Sequence, residues 1–120
     1  MRMIEIDYDA QPPIDGYGPG GFRVDGTWLE GGLIMMAGGP QPLDGAPSVG
    51  SLAAVMAAAD TLDVLLIGQG ADIAPLDRTL KAALEHAGIG FEIMSTPSAC
   101  RTYNVLLTEN RRVAAALVPV

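Results

Sequence analysis

The sequence predicts an α/β fold: one domain spanning residues 1–120, a mixed β-sheet with packed helices, and an N-terminal β-hairpin region. Three observations carry that expectation. An Asp25-Gly26 dipeptide separates two short apolar runs, a near-continuous apolar stretch fills residues 62–67, and helical and extended patterns alternate from residue 48 onward. At 120 residues one hydrophobic core suffices, since folding at that length removes roughly two-thirds of the chain's surface from water.

Residues 3–7 alternate apolar and acidic side chains, the period-two signature of a half-exposed edge strand. Residues 9–21 contain Pro12, Pro13, Gly16, Gly18, Pro19, Gly20 and Gly21. That composition is expected to exclude a regular ladder and to give an ordered loop anchored by Ile14 and Tyr17. Phe22-Arg23-Val24, Asp25-Gly26 and Thr27-Trp28-Leu29 then read as strand, tight turn and strand. The second strand is expected to run on through Gly31-Gly32 to Met36, and residues 37–46 to form a Gly/Pro loop.

Val49, Leu52, Ala53, Val55 and Met56 form a helical stripe, with Ser48 as its expected N-cap. Residues 62–67 suit a strand covered on both faces and central to the sheet. Pro75 fits a first helical turn, Leu76, Leu80, Ala83, Leu84 and Ala87 recur at helical spacing, and Gly88 marks the stop. Residues 89–94 read as a strand. Thr96-Pro97 opens a third helix with Ala99, Tyr103, Leu106 and Leu107 on one face, ending near Asn110. The three alanines of residues 113–118 favour a helix by propensity, but the alternation of elements favours a strand, which is the expectation adopted. Crossover connections would bring the ends of the strands after Ile67 and Met94 to one rim.

Fourteen acidic residues against seven basic give a net charge of −7, which argues against nucleic acid and anionic lipid as partners. The imbalance is uneven: residues 1–77 hold eleven acids and two bases, residues 78–120 three acids and five bases. An anionic partner would therefore meet the last third. Acidic Glu5 and Asp7 interrupt the apolar run that an export signal needs, and no stretch approaches the roughly 20 apolar residues of a membrane span. A lone cysteine and a lone histidine give neither an internal disulfide nor a metal cluster. A cytoplasmic protein without cofactor or metal is expected.

Gly68-Gln69-Gly70 follows a strand and precedes a helix, where a dinucleotide-binding turn would lie, but Ile73 stands where the third glycine of that fingerprint belongs. A structural turn is the stronger reading. Cys100 lies at the start of the third helix beside Arg101, a setting that lowers a thiol pKa, yet no base is at hand and burial would raise it. Burial is expected to dominate. Arg101 could join free N–H groups at that helix start in holding an anion. His86 suits the carbonyls at the end of its own helix, and the acids show no carboxylate dyad. No catalytic residue is assigned.

Two strings are more specific than any of these motifs. Ile14-Asp15-Gly16-Tyr17-Gly18-Pro19-Gly20-Gly21-Phe22, and Ala99-Cys100-Arg101-Thr102-Tyr103-Asn104-Val105-Leu106-Leu107 followed by Glu109 and Arg111-Arg112-Val113, flank Leu65-Leu66-Ile67-Gly68-Gln69-Gly70. Together they resemble the small α/β domain family that includes mitochondrial respiratory complex I assembly factor 3 and many uncharacterised prokaryotic proteins. The resemblance implies a compact fold with a mixed sheet, brings no catalytic residues, and implies for its mitochondrial member a role in assembling a membrane-associated complex. Shared fold alone does not transfer that role.

The first functional reading is a non-enzymatic interaction or assembly-accessory protein for a larger complex, its partner another protein, with self-association also open. Tyr17, Phe22, Trp28, Met35 and Met36 are its candidate exposed apolar residues. The alternative is a small-molecule or anion-binding protein, enzymes included, with a site formed by Gly68, Gln69, Gly70, Thr96, Cys100 and Arg101 at the carboxyl ends of parallel strands.

Overall fold

A computed structural model describes residues 11–120. The edge strand expected at residues 3–7 lies outside the described residues. Three short strands, β1 (Ile14–Gly18), β2 (Gly21–Val24) and β3 (Thr27–Glu30), form an antiparallel sheet in that order. A second sheet holds β4 (Gly32–Met36), β5 (Gly39–Leu43), β6 (Val64–Gly68), β7 (Phe91–Met94) and β8 (Val113–Leu117) in the order β5-β4-β8-β6-β7. Its β6, β7 and β8 are parallel, while β4 runs antiparallel to both β5 and β8. The sheet is therefore mixed, as the sequence predicts.

The turn between β2 and β3 has Asp25 at φ 50° and Gly26 at φ 78°, the paired positive angles that match a tight hairpin to strand twist. The expected loop at residues 9–21 contains β1 instead. A bulge between Ile14 and Gly16 absorbs the irregularity, and the remaining pairs Gly16–Arg23, Tyr17–Phe22 and Gly18–Gly21 form a regular ladder. The strand expected to continue from residue 27 to Met36 is broken: Gly31, at φ 86°, turns the chain from one sheet into the other.

The Gly/Pro loop expected at residues 37–46 likewise contains a strand, β5. Its partners are Gly32–Leu43, Leu33–Pro42, Ile34–Gln41, Met35–Pro40 and Met36–Gly39. Proline has no N–H to give, so the reciprocally bonded pairs of this ladder are Gly32–Leu43, Ile34–Gln41 and Met36–Gly39, and Leu33 and Met35 turn their backbone groups toward β8. Pro40 and Pro42, opposite them, consequently point their nitrogens out of the sheet, where no ladder hydrogen bond is lost.

Helix α1 (Ala53–Ala57) begins later than expected, with Leu52 rather than Ser48 at its N-cap. Ser48 instead closes a turn with Ser51, whose amide donates to Ser48 Oγ at 3.0 Å. Helix α2 (Arg78–His86) starts beyond Pro75, because the Asp77 carboxylate accepts from the Leu80 amide and caps it. Helix α3 (Thr96–Thr108) is capped by Ser95 rather than Thr96, and Asn110 at φ 59° ends the turn after it. The apolar strand β6 has neighbours on both sides, but the middle position belongs to the alanine-rich β8, which is buried along its whole length.

The connection from β6 through α2 leads outward to β7, and that from β7 through α3 leads back across β6 to β8. Reversing direction places the two helices on opposite faces. On one face Leu33, Met35, Leu66, Val113, Ala115 and Leu117 pack against α3 and the apolar side of the three-stranded sheet. On the other, Ile34, Met36, Leu65, Ile67, Ala114 and Ala116 pack against Leu52, Val55, Leu80 and Leu84. Adjacent strand residues alternate between the two cores because side chains alternate across a pleat.

Candidate functional site

The rim expected at the carboxyl ends of β6 and β7 exists, since the two strands are parallel and pair Gly68 with Met94. Thr96, fully buried, occupies it. Its amide donates to Gly70 O at 2.7 Å, its hydroxyl donates to Val118 O at 2.6 Å, and it accepts from the Gly70 amide at 2.9 Å. The Gln69 amide donates to Met94 O and the Val118 amide to Gly68 O, both at 2.9 Å. One threonine side chain thus joins the ends of β6, β7 and β8. Gly68 is required by this closure, as a Cβ there would lie 2.8 Å from Thr96 Oγ1 and 2.9 Å from Leu117 Cδ2.

The amides that could meet an anion at the start of α3 are also engaged. Thr96 N–H goes to Gly70, Pro97 has none, and Ser98 and Ala99 donate to the side chain and carbonyl of Ser95. The structure therefore brings Gly68, Gln69 and Gly70 against Thr96 directly, whereas Cys100 and Arg101 lie one turn further along α3.

Those two residues belong to another feature. A depression of about 260 Å³ between β1 and α3 is lined by Ile14, Asp15, Gly16 and Tyr17 on one side and Pro97, Cys100, Arg101 and Asn104 on the other. The two strings that carry the family resemblance, some eighty residues apart in sequence, meet there. Asn104 holds β1 in place: the Ile14 amide donates to Asn104 Oδ1 and Asn104 Nδ2 donates to Ile14 O, each at 2.8 Å. Below it the Tyr103 hydroxyl donates to Pro12 O at 2.8 Å, and Gln11 Nε2 donates to Val113 O at 2.6 Å. Burial pushes the Tyr103 phenol up, against a smaller opposing effect of Gln11. Sequence reasoning missed Asn104, because a mid-helix asparagine reads as a solvated residue. Its position one residue after the core-facing Tyr103 was the available signal.

Cys100 is buried, and burial pushes its thiol up to about 11. This is the balance expected from the sequence, with desolvation prevailing over the helix start and Arg101. Arg101 is exposed and makes no ion pair among the described residues. His86 is exposed in the last turn of α2. At the opposite end of the sheet Asp63 receives the Arg112 guanidinium at 2.9 Å and the Arg112 amide at 3.0 Å, with Arg111 at 3.9 Å. These bonds hold its carboxyl below the ordinary value. Two of the five basic residues in the last third are thereby tied to an internal acid.

Of the candidate surface residues, Tyr17 and Trp28 are exposed, at 46% and 39%. Phe22, Met35 and Met36 are not; they lie in the cores, because they fall on the strand faces that meet α3 or the opposite layer. The Trp28 indole lies across Gly18 and Gly21 and donates from Nε1 to Glu30 Oε1 at 2.7 Å. It borders an apolar depression of about 280 Å³ shared with Leu33, Pro40 and Pro42. Among the described residues no three His, Cys, Asp or Glu side chains gather to hold a metal, and no helix is long and apolar enough to cross a membrane.

Residues 14–118 match the family described as "Protein of unknown function (DUF498/DUF598)". The chain belongs to that family. An uncharacterised protein of Rhodobacter capsulatus is 52% identical over 120 residues, covering 100% of this chain and 94% of its own length. NADH dehydrogenase [ubiquinone] 1 alpha subcomplex assembly factor 3 of Danio rerio is 32% identical over 127 residues, covering 99% of this chain and 71% of its own. Among solved structures, a Bartonella henselae protein described as an outer membrane protein superposes with a TM-score of 0.89 at 37% identity, covering 93% of this chain and 98% of that one. The Rpa2829 protein of Rhodopseudomonas palustris superposes with a TM-score of 0.78 at 35% identity, over 98% and 93%. The family thus joins bacterial proteins with eukaryotic assembly factors on one fold, and the resemblance seen in the sequence is borne out.

Proposed function

We propose that this chain is a non-enzymatic assembly-accessory protein that acts by binding another protein of a multi-subunit respiratory NADH dehydrogenase. The observation that supports this reading is the 32% identity to an assembly factor of that complex, sustained over 99% of the chain. The local chemistry points the same way. Cys100 is held as a thiol, Thr96 and the first-turn amides of α3 have all their partners, and the side chains left to solvent include Tyr17, Trp28 and Arg101. Such residues recognise surfaces. A small-molecule or anion site at Gly68, Gln69, Gly70 and Thr96 draws less support, since the Gln69, Gly70 and Thr96 amides and the Thr96 hydroxyl already donate within the fold.

Deletion of the gene in its native host tests the proposal. Native electrophoresis should show less assembled NADH dehydrogenase and an accumulated subassembly, restored by the chain supplied in trans. Unchanged assembly and NADH oxidation in the deletion strain would reject it.

A further inference from the structure

Among the described residues, the β1 edge of the three-stranded sheet is only half closed. In the hairpin of β2 and β3, the pairs Val24–Thr27 and Phe22–Leu29 flank a two-residue turn, so Val24 and Phe22 direct their N–H and C=O groups toward β3. They cannot also face β1. Ile14 and Tyr17, which lie opposite them, therefore turn their own backbone groups away from β2, toward the outside of the sheet. At Ile14 both groups are taken by the Asn104 carboxamide, which stands where the peptide of a neighbouring strand would be. At Tyr17 the described residues supply no equivalent.

The depression between β1 and α3 adjoins that peptide, which has no partner among the described residues, and Arg101, one helical turn before Asn104, lines it together with Asp15. Gly16 is not held at a positive φ, and among the described residues no atom lies within 4 Å of where a Cβ would be. A strand glycine so placed leaves room for the close approach of another backbone. A volume of about 260 Å³ is below the roughly 300–1,000 Å³ of sites that enclose a small ligand.

We propose that β1 is a docking edge for an extended acidic segment of a partner protein. The segment continues at Tyr17 the pairing that Asn104 begins at Ile14, and it sets a carboxylate against Arg101. An open peptide N–H and C=O are complemented by another peptide. Of the two charged side chains that line the depression, Asp15 accepts from the Gly26 amide and Arg101 has no ion pair among the described residues, so the unengaged charge is a guanidinium, which selects an acid. This inference rests on the protein-partner reading above.

The test uses the full-length ¹⁵N-labelled chain and three probes: an acetylated, amidated heptapeptide of alternating valine and glutamate, its valine-lysine counterpart, and inorganic phosphate. The glutamate peptide should shift the Tyr17, Gly18 and Arg101 resonances and slow exchange of the Tyr17 amide by about tenfold, while the lysine peptide leaves them unchanged. Arg101→Glu should invert that preference. Equal response to both peptides, or response to phosphate without protection of Tyr17, would overturn the proposal, the latter in favour of a small-anion site. A Tyr17 amide already protected in the free chain and indifferent to peptide would also overturn it, with loss of that protection on dilution identifying a second copy as the occupant. A deletion strain with an assembly defect but no peptide response rejects only the docking edge; peptide response without an assembly defect rejects only the assembly role.

Discussion

The two faces of the five-stranded sheet are held by different kinds of force. Under α3 and the three-stranded sheet, apolar packing is supplemented by side-chain hydrogen bonds that span some ninety residues or more of sequence: Tyr103 to Pro12, Asn104 to Ile14, and Gln11 to Val113. Under α1 and α2 the contact is aliphatic, through Leu52, Val55, Leu80 and Leu84. Apolar burial is non-directional and tolerates shifts of an element, whereas hydrogen bonds to backbone groups specify one register. The first face therefore positions β1, its free edge and the depression beside it, and the second mainly contributes stability.

Large-to-small substitutions on the two faces are the strongest way to break this comparison. Tyr103→Ala should cost about 3–5 kcal/mol and Leu84→Ala about 2–5 kcal/mol in chemical denaturation. Either is a large part of the 5–15 kcal/mol typical of a domain. The faces should differ in what is released: the tyrosine variant should lose exchange protection first in β1–β3, the leucine variant in α2. Coincident loss everywhere in both variants would mean that the faces are not distinct units.

Smaller changes sharpen the contrast. Gly68→Ala should cost about 1–3 kcal/mol through the contacts with Thr96 and Leu117 and lower protection of the Gly70 amide. Tyr103→Phe removes only the bond to Pro12 and should cost about 1 kcal/mol. A cost near zero would reduce the first face to packing alone.

Two titrations follow. With its pKa raised to about 11, folded Cys100 should react with a thiol reagent at neutral pH on the order of a hundredfold more slowly than unfolded chain. A raised pKa also means that the associated stability is complete below the ordinary thiol value and declines as pH rises toward 11. Asp63 has the opposite sign. Its lowered pKa contributes stability above the ordinary value of 3.8, lost as pH falls through the folded value. In this exposed position the effect should be the smallest of the set, and Asp63→Asn should remove it along with its salt dependence.

The parts of the fold legible in the sequence are those where one residue type settles the matter locally. Asp25-Gly26 specifies a turn, the apolar run ending at Ile67 specifies a covered strand, and the spacing of Leu80 and Leu84 specifies a buried helix face. The strands β1 and β5 are not legible, because glycine and proline read as breakers unless the direction of each backbone group is known. An edge strand needs only alternate N–H groups, and a bulge accommodates the rest. Similarly, parallel strands foretold the meeting of Gly70 with Thr96, but not that the threonine side chain would close the gap between them. That depends on a rotamer chosen by three strand ends at once.

The outward-pointing nitrogens of Pro40 and Pro42 bear on how copies of the chain behave when crowded. Along the exposed margin of β5 two successive positions offer carbonyl oxygens and no donor, so a strand arriving there finds half of every reciprocal bond missing. The five-stranded sheet cannot be lengthened from this margin into a fibre of stacked copies. Replacing both prolines with valine or threonine would restore the missing donors and turn a solubility safeguard into a seed for ordered aggregation.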